Sequence, residues 1–154
     1  VSSTVNFVHL HLVLTHFPPV LSLECVVAAA AAQFIRSRRR ELVRLALFLA
    51  IATSTMMPAI YFAGVRTADA IGNVDGIQQD AIAPHQQAAL IALCVSIVTI
   101  IIAAVLLIVE RQQAGLSVLL RVVVLLLTVG LAAAIGWAAA RGGAIHHPEV
   151  STAR

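Results

Sequence analysis

Residues 88–109 read AALIALCVSIVTIIIAAVLLIV, 22 consecutive positions without a charged side chain. An α-helix needs roughly 20 such residues to cross the hydrocarbon of a bilayer, and a helix satisfies its own backbone polar groups there. Three further stretches share this character, at 17–35, 42–65 and 118–140. Composition agrees with that reading: 60% of the chain is apolar, 11% is charged and the mean hydropathy is +0.98. Aqueous domains run near 45–50% and about 25%, so a water-soluble globule and a disordered tail are both excluded. The expectation is an all-α, integral membrane four-helix up-down bundle formed as one transmembrane domain over residues 1–154, with a loop at 66–87 and a tail at 141–154.

Prolines and glycines set the punctuation. Pro18 and Pro19 cannot donate backbone hydrogen bonds and suit the first turn of a helix. They put the end of the first span near His16 and leave residues 7–14 as an interfacial helix, or an extra turn beyond a kink. Pro58 predicts a second kink, in the second span, with Gly64 as its stop. The 66–87 segment holds three of the seven acids and two of the eight glycines, and Pro84 stands just before the third span. The link ERQQAG is short, which makes the third and fourth spans antiparallel neighbours, and the chain leaves the bundle at Gly142 and Gly143.

All ten basic residues are arginine. Arg36, Arg38, Arg39, Arg40 and Arg44 flank the first connection and Arg111 and Arg121 the third, whereas Arg66, Arg141 and Arg154 belong to the opposite side. The positive-inside rule assigns the arginine-rich connections to the cytoplasm. Both termini and the 66–87 loop then face the periplasm, and the protein is a multi-pass component of a bacterial inner membrane. Tyr61 and Trp137 lie toward that outer side, where aromatic rings favour the headgroup layer. The chain opens on Val1 without a cationic start, so no cleaved signal is expected. The arginines sit beside apolar spans with no interleaved aromatic platform, which argues against nucleic acid as a partner despite a pI of about 9.7.

Six histidines occur, His9, His11, His16, His85, His146 and His147, and this topology places all of them at the outer end. Imidazole is the commonest biological metal ligand and an axial ligand of haem iron. His9 and His16 are seven apart and share a face if one helix runs on to Pro18, with His11 pointing elsewhere. His85 opens the third span at the depth of His16. His147, in HHPE, precedes a proline that biases it toward extended backbone, so the tail could fold back over the bundle mouth. His16, His85 and His147 therefore form the candidate cluster, with His9, His11 and His146 as secondary candidates; taken singly, each is also satisfied as an interfacial side chain whose polar tip meets water.

Glu24 lies eight residues beyond His16, roughly 12 Å deeper at 1.5 Å per residue. It reads as a neutral hydrogen-bonded carboxyl, a proton relay or a contact to a partner helix. Cys25 and Cys94 make no CxxC pattern and read as small buried side chains; Met56 and Met57 offer thioethers to haem or copper, or simply fill a core. There is no GxGxxG, Walker loop, HExxH or nucleophile elbow, so nucleotide-driven and hydrolytic chemistry have no support in the sequence.

LTHFPP at 14–19, AIYFAG ending the second span, PHQQAA opening the third and the tail RGGAIHHPE together resemble a poorly characterised family of bacterial four-helix membrane proteins of unknown function. The family pattern runs NHFP, a threonine-glycine pair, HExxA, and a glycine followed by IRHPE. The resemblance covers nearly the whole chain and carries over His16, His85 and His147. Departures are Thr15 for asparagine, Ala63 before Gly64 for threonine, Gln86 for glutamate and His146 for arginine. The resemblance implies an electron-transfer subunit, because paired histidines in a helical bundle suit b-type haem.

The expected function is thus membrane-embedded electron transfer rather than catalysis, with haem b between His16 and His85 and His147 in support. A copper, iron or zinc ion at the same periplasmic-face residues is the alternative cofactor. Expected partners are the lipid bilayer and other membrane or periplasmic redox subunits. The second hypothesis is a non-redox accessory subunit of a larger membrane complex that binds no cofactor, its alanine runs at 28–32 and 132–134 allowing close helix approach. A transporter would need a polar path, and Glu24 and Gln33 alone make a poor one.

Overall fold

The structure is a computed structural model and describes residues 7–71, 79–112, 115–143 and Ile145. Among these there are five helices and no strand: α1 (Phe7–Leu14), α2 (Phe17–Phe34), α3 (Arg39–Ile71), α4 (Gln79–Gln112) and α5 (Val118–Gly143), with a 3₁₀ turn at Arg36–Arg38 before α3. Four segments are long and apolar enough to cross a membrane, α1 and α2 counting together as one of them.

Proline chemistry accounts for the break between α1 and α2. Pro18 and Pro19 cannot donate to the carbonyls of Leu14 and Thr15, and the helical ladder lapses over Thr15 and His16, although His16 keeps right-handed helical torsions (φ −79°, ψ −25°). Pro58 acts differently: α3 stays helical through it. Nor does Gly64 stop that helix. Hydropathy marks which residues suit lipid, not where a helix ends. The 33 residues of α3 make a rod of about 50 Å, well beyond the roughly 30 Å of a hydrocarbon core. Both α3 and α4 therefore run into the expected 66–87 loop, which α3 leaves only after Ile71 and α4 re-enters at Gln79.

Helices α2, α3, α4 and α5 pack in sequence, and α5 closes back on α2, so α3 and α5 stand diagonally across the bundle; α1 lies mainly on α3. Polar contacts confirm the up-down order. Gln33, at the end of α2, accepts from Arg121 Nη1 and donates to the Arg121 carbonyl at the start of α5 (3.3 and 3.2 Å). Glu110, at the end of α4, is fully buried; Arg44 Nε donates to its Oε2 at 2.9 Å, while Arg40 Nε stands 3.0 Å from Oε1, out of hydrogen-bond alignment. The arginine-rich end is thus closed by buried ionic and amide contacts.

The interior is thin and the exterior apolar. Half of the twenty buried apolar side chains are alanine, which lets the helices approach closely. The hydroxyls of Ser22, Thr53, Ser96 and Thr128 donate to carbonyls three or four residues back in their own helices, which satisfies each donor locally. Meanwhile Phe34, Leu119, Phe62 and Leu126 are 65–82% exposed. Such a surface in water would be a single large association patch.

Candidate cofactor site

A cavity of about 720 Å³ opens at the histidine end, walled by α1, the first turns of α2 and α4 and the last turns of α3 and α5. That volume lies within the range of sites that take a small molecule or cofactor. Its lining is mainly apolar, from Met57, Ile60, Ile135 and Ala138 among others, with Thr15, Tyr61, Thr67 and Gln86 as polar exceptions.

Two histidines enter this cavity through matching devices. His11, on α1, donates from Nδ1 to the Ile60 carbonyl of α3 at 3.1 Å. His85, on α4, donates from Nδ1 to the Ala138 carbonyl of α5 at the same 3.1 Å. Four residues beyond each accepting carbonyl stands a glycine. A Cβ added at Gly64 would lie 2.8 Å from Cε1 of His11, and one at Gly142 would lie 3.0 Å from Cε1 of His85. Each imidazole therefore rests on bare backbone, where any side chain would push it away. α3 and α5 are diagonal in the bundle, so the rings are mounted on opposed walls of the same cavity.

The hydrogen bonds fix the chemistry. A carbonyl can only accept, so Nδ1 carries the proton on both rings, and in the neutral form Nε2 keeps the bare lone pair. A backbone acceptor on Nδ1 also makes Nε2 a better donor toward a metal. The arrangement offers two oriented imidazole nitrogens in an apolar chamber.

The remaining sequence candidates are placed as follows. His16 is exposed at the cavity rim, its Nδ1 donating to the Leu12 carbonyl at 2.6 Å across the α1–α2 break. His9 is exposed on α1. His146 and His147 lie outside the described residues. Glu24 is exposed on α2 and does not line the cavity. Met57 is buried in the cavity wall and Met56 packs against the core beside it. Cys25 is buried, Cys94 is exposed, and both are free thiols.

Sequence reasoning ranked His16 and His85, both of which line the cavity, above His11, whose ring is mounted like that of His85, and it read Gly64 and Gly142 only as helix ends. A signal for His11 exists. The buried stripe of α2, Cys25, Ser22 and Pro18, continued backward in steps of three and four residues, passes Leu14 and lands on His11. Among the described residues no group of three or more His, Cys, Asp or Glu side chains converges as a metal-ion site. No protein family, curated protein or solved structure matches the chain.

Proposed function

We propose that this protein is a membrane electron carrier that holds a b-type haem between His11 and His85. The observation that carries the reading is the pair of matched mounts: two imidazoles, each tethered through Nδ1 to a carbonyl and seated on a glycine, on diagonal walls of one apolar cavity. A bare copper, iron or zinc ion generally wants three or more protein ligands. Haem brings four nitrogens of its own and needs two, which is the number found. When bound, haem supplies reversible one-electron chemistry at iron, with potential tuned by its axial ligands and surroundings. The chain's own residues do the rest: His11 and His85 bind, the carbonyls of Ile60 and Ala138 hold the ring orientation, and Met57, Ile60 and Ile135 exclude water. With both His11 and His85 holding it, the group would supply electron transfer rather than oxygen chemistry.

Four helices of membrane-spanning length and an apolar exterior support placement in a bilayer. The asymmetry of the arginines supports the cytoplasmic side for the Arg36–Arg44 end and the periplasmic side for the cavity. The inner membrane of a bacterium is the compartment in which this orientation has meaning, and the electron partners would be membrane or periplasmic redox proteins. The test is a reduced-minus-oxidised absorption spectrum of the purified protein. A b-type spectrum that vanishes in His11→Ala and in His85→Ala is expected. A colourless, metal-free preparation from haem-replete cells sinks the reading and favours the accessory-subunit alternative.

A further inference from the structure

Helix α2 carries two seams on opposite faces. Pro18, Ser22, Cys25, Ala29 and Ala32 are buried against the bundle. On the other side run Phe17, Val20, Glu24, Val27, Ala31 and Phe34, separated by three, four, three, four and three residues. Phe17, Val20, Val27 and Phe34 are 50%, 59%, 60% and 82% exposed, Glu24 is exposed and Ala31 is half-buried. Alternating steps of three and four are the spacing of a coiled-coil seam. Glu24 sits inside this seam, roughly 10 Å along the helix from Phe17, with apolar neighbours on both sides.

A carboxyl facing lipid is costly, and ionisable groups in membrane helices as a rule turn inward or find a partner. Within the described residues Glu24 has neither a hydrogen bond nor an ion pair. The geometry points to a second copy of this chain as the partner. We propose that two copies associate through this face of α2 about a twofold axis normal to the membrane, with the two Glu24 carboxyls paired. Copies inserted with one topology carry α2 parallel, and a twofold axis normal to the bilayer sets each residue opposite its own counterpart at the same depth. A neutral carboxyl is self-complementary, one O–H donor and one carbonyl acceptor. Two of them exchange two hydrogen bonds and leave no charge in lipid. The single polar position fixes the register of a seam that is otherwise apolar, as a lone polar residue does in soluble coiled coils. Ala31, one heptad beyond Glu24, permits close approach at the next contact.

This inference rests on the bilayer placement proposed above and is independent of haem. The chain is purified into phosphatidylethanolamine–phosphatidylglycerol nanodiscs and vesicles, and its stoichiometry is read by native mass spectrometry and single-molecule photobleaching. Wild type is expected to be dimeric, Glu24→Gln to stay dimeric because an amide also donates and accepts, and Glu24→Leu to dissociate roughly tenfold more readily. In a Cys94→Ser background, Val20→Cys and Val27→Cys should cross-link across the axis, whereas Ile101→Cys on α4 and Leu126→Cys on α5, equally exposed, should not. Glu24 makes no hydrogen bond or ion pair within the described residues, so circular dichroism and thermal unfolding of Glu24→Leu should match wild type. A monomeric wild type overturns the proposal. So do undiminished dimerisation of Glu24→Leu, equal cross-linking from α4 or α5, and a monomer that co-purifies with a different subunit bound at Glu24. A protein that stays in the soluble fraction overturns the bilayer placement itself, a separate outcome.

Discussion

Replacing Gly64 with alanine tests the site where its tolerance is smallest. The added Cβ would stand 2.8 Å from Cε1 of His11, and ordinary contact begins at 3.4 Å, so the ring must withdraw by about 0.6 Å. It cannot do so without consequence. Withdrawal along the hydrogen bond stretches the 3.1 Å contact from Nδ1 to the Ile60 carbonyl to about 3.7 Å, beyond hydrogen-bonding range, and a sideways tilt swings Nε2 off its aim. Loss of one such bond is worth about 1 kcal/mol, and haem affinity should fall roughly fivefold to tenfold. In the empty protein the same lost bond is offset by the advantage of about 1 kcal/mol that alanine has over glycine in a helix interior, so its stability should change little. Haem titration of detergent-solubilised apoprotein, read by absorbance, gives the affinity, and thermal unfolding of the same apoprotein gives the stability. Gly142→Ala should follow with a smaller loss, since its Cβ clears Cε1 of His85 by 3.0 Å. Gly130→Ala and Gly136→Ala meet nothing within 4 Å and should bind haem as wild type does. If Gly64→Ala and Gly130→Ala bind equally well, the ring is not held by that glycine and the account of the mount is wrong.

Three further outcomes separate the components of the structure. His16→Ala should keep the b-type spectrum that His11→Ala and His85→Ala lose, because the His16 ring is exposed and turned back onto Leu12; loss of the spectrum in His16→Ala alone would return the ligand to the α1–α2 break. At the other end, Arg40→Ala combined with Arg44→Ala strands a fully buried carboxylate and should cost about 3–5 kcal/mol. Glu110→Gln leaves arginines that are 38% and 43% exposed and can turn to water, for about 1 kcal/mol; equal losses on denaturant unfolding in micelles would contradict this asymmetry. Finally, in a Cys94→Ser background, a membrane-impermeant maleimide applied to spheroplasts should label Asp80→Cys and spare Ser37→Cys until the cells are lysed, and the reverse pattern would invert the assigned topology.

Much of the architecture was legible because lipid imposes simple demands. An uncharged run such as residues 88–109 has few folded solutions, and prolines at 18 and 19 remove two donors whatever surrounds them. The break before His16 and the separate helix over residues 7–14 followed from that chemistry. Less legible was how far α3 and α4 continue past the apolar stretches. Arg66, Thr67 and Asp80 are polar, and hydropathy reads polarity as an exit from lipid, yet a helix needs no lipid to persist once packing and its own hydrogen bonds sustain it. Glu110 was hidden for a related reason: a carboxylate in a polar link reads as solvated, and only the antiparallel pairing of α3 with α4 brings Arg40 and Arg44 over it.

The choice between His11 and His16 shows what separates a helical-face argument from a packing argument. Counting from His9 favours His16, two turns on, and sets His11 aside. Counting from the buried residues of α2 favours His11, because it continues the stripe through Leu14, Pro18, Ser22 and Cys25. Both counts use the same periodicity, but only the second is anchored on the side that faces the bundle, and His16 lies five residues from His11, about 140° away around the helix. The glycines could not have been found that way at all. Gly64 and Gly142 are distinguished from Gly130 and Gly136 only by which ring comes to rest on them, a relation between helices that neither periodicity nor composition encodes. Once the carbonyls of Ile60 and Ala138 are seen to accept from the two rings, the requirement becomes simple. A ring that bonds to the carbonyl of one helical turn must lie over the next turn, and four residues on it needs a position without a side chain.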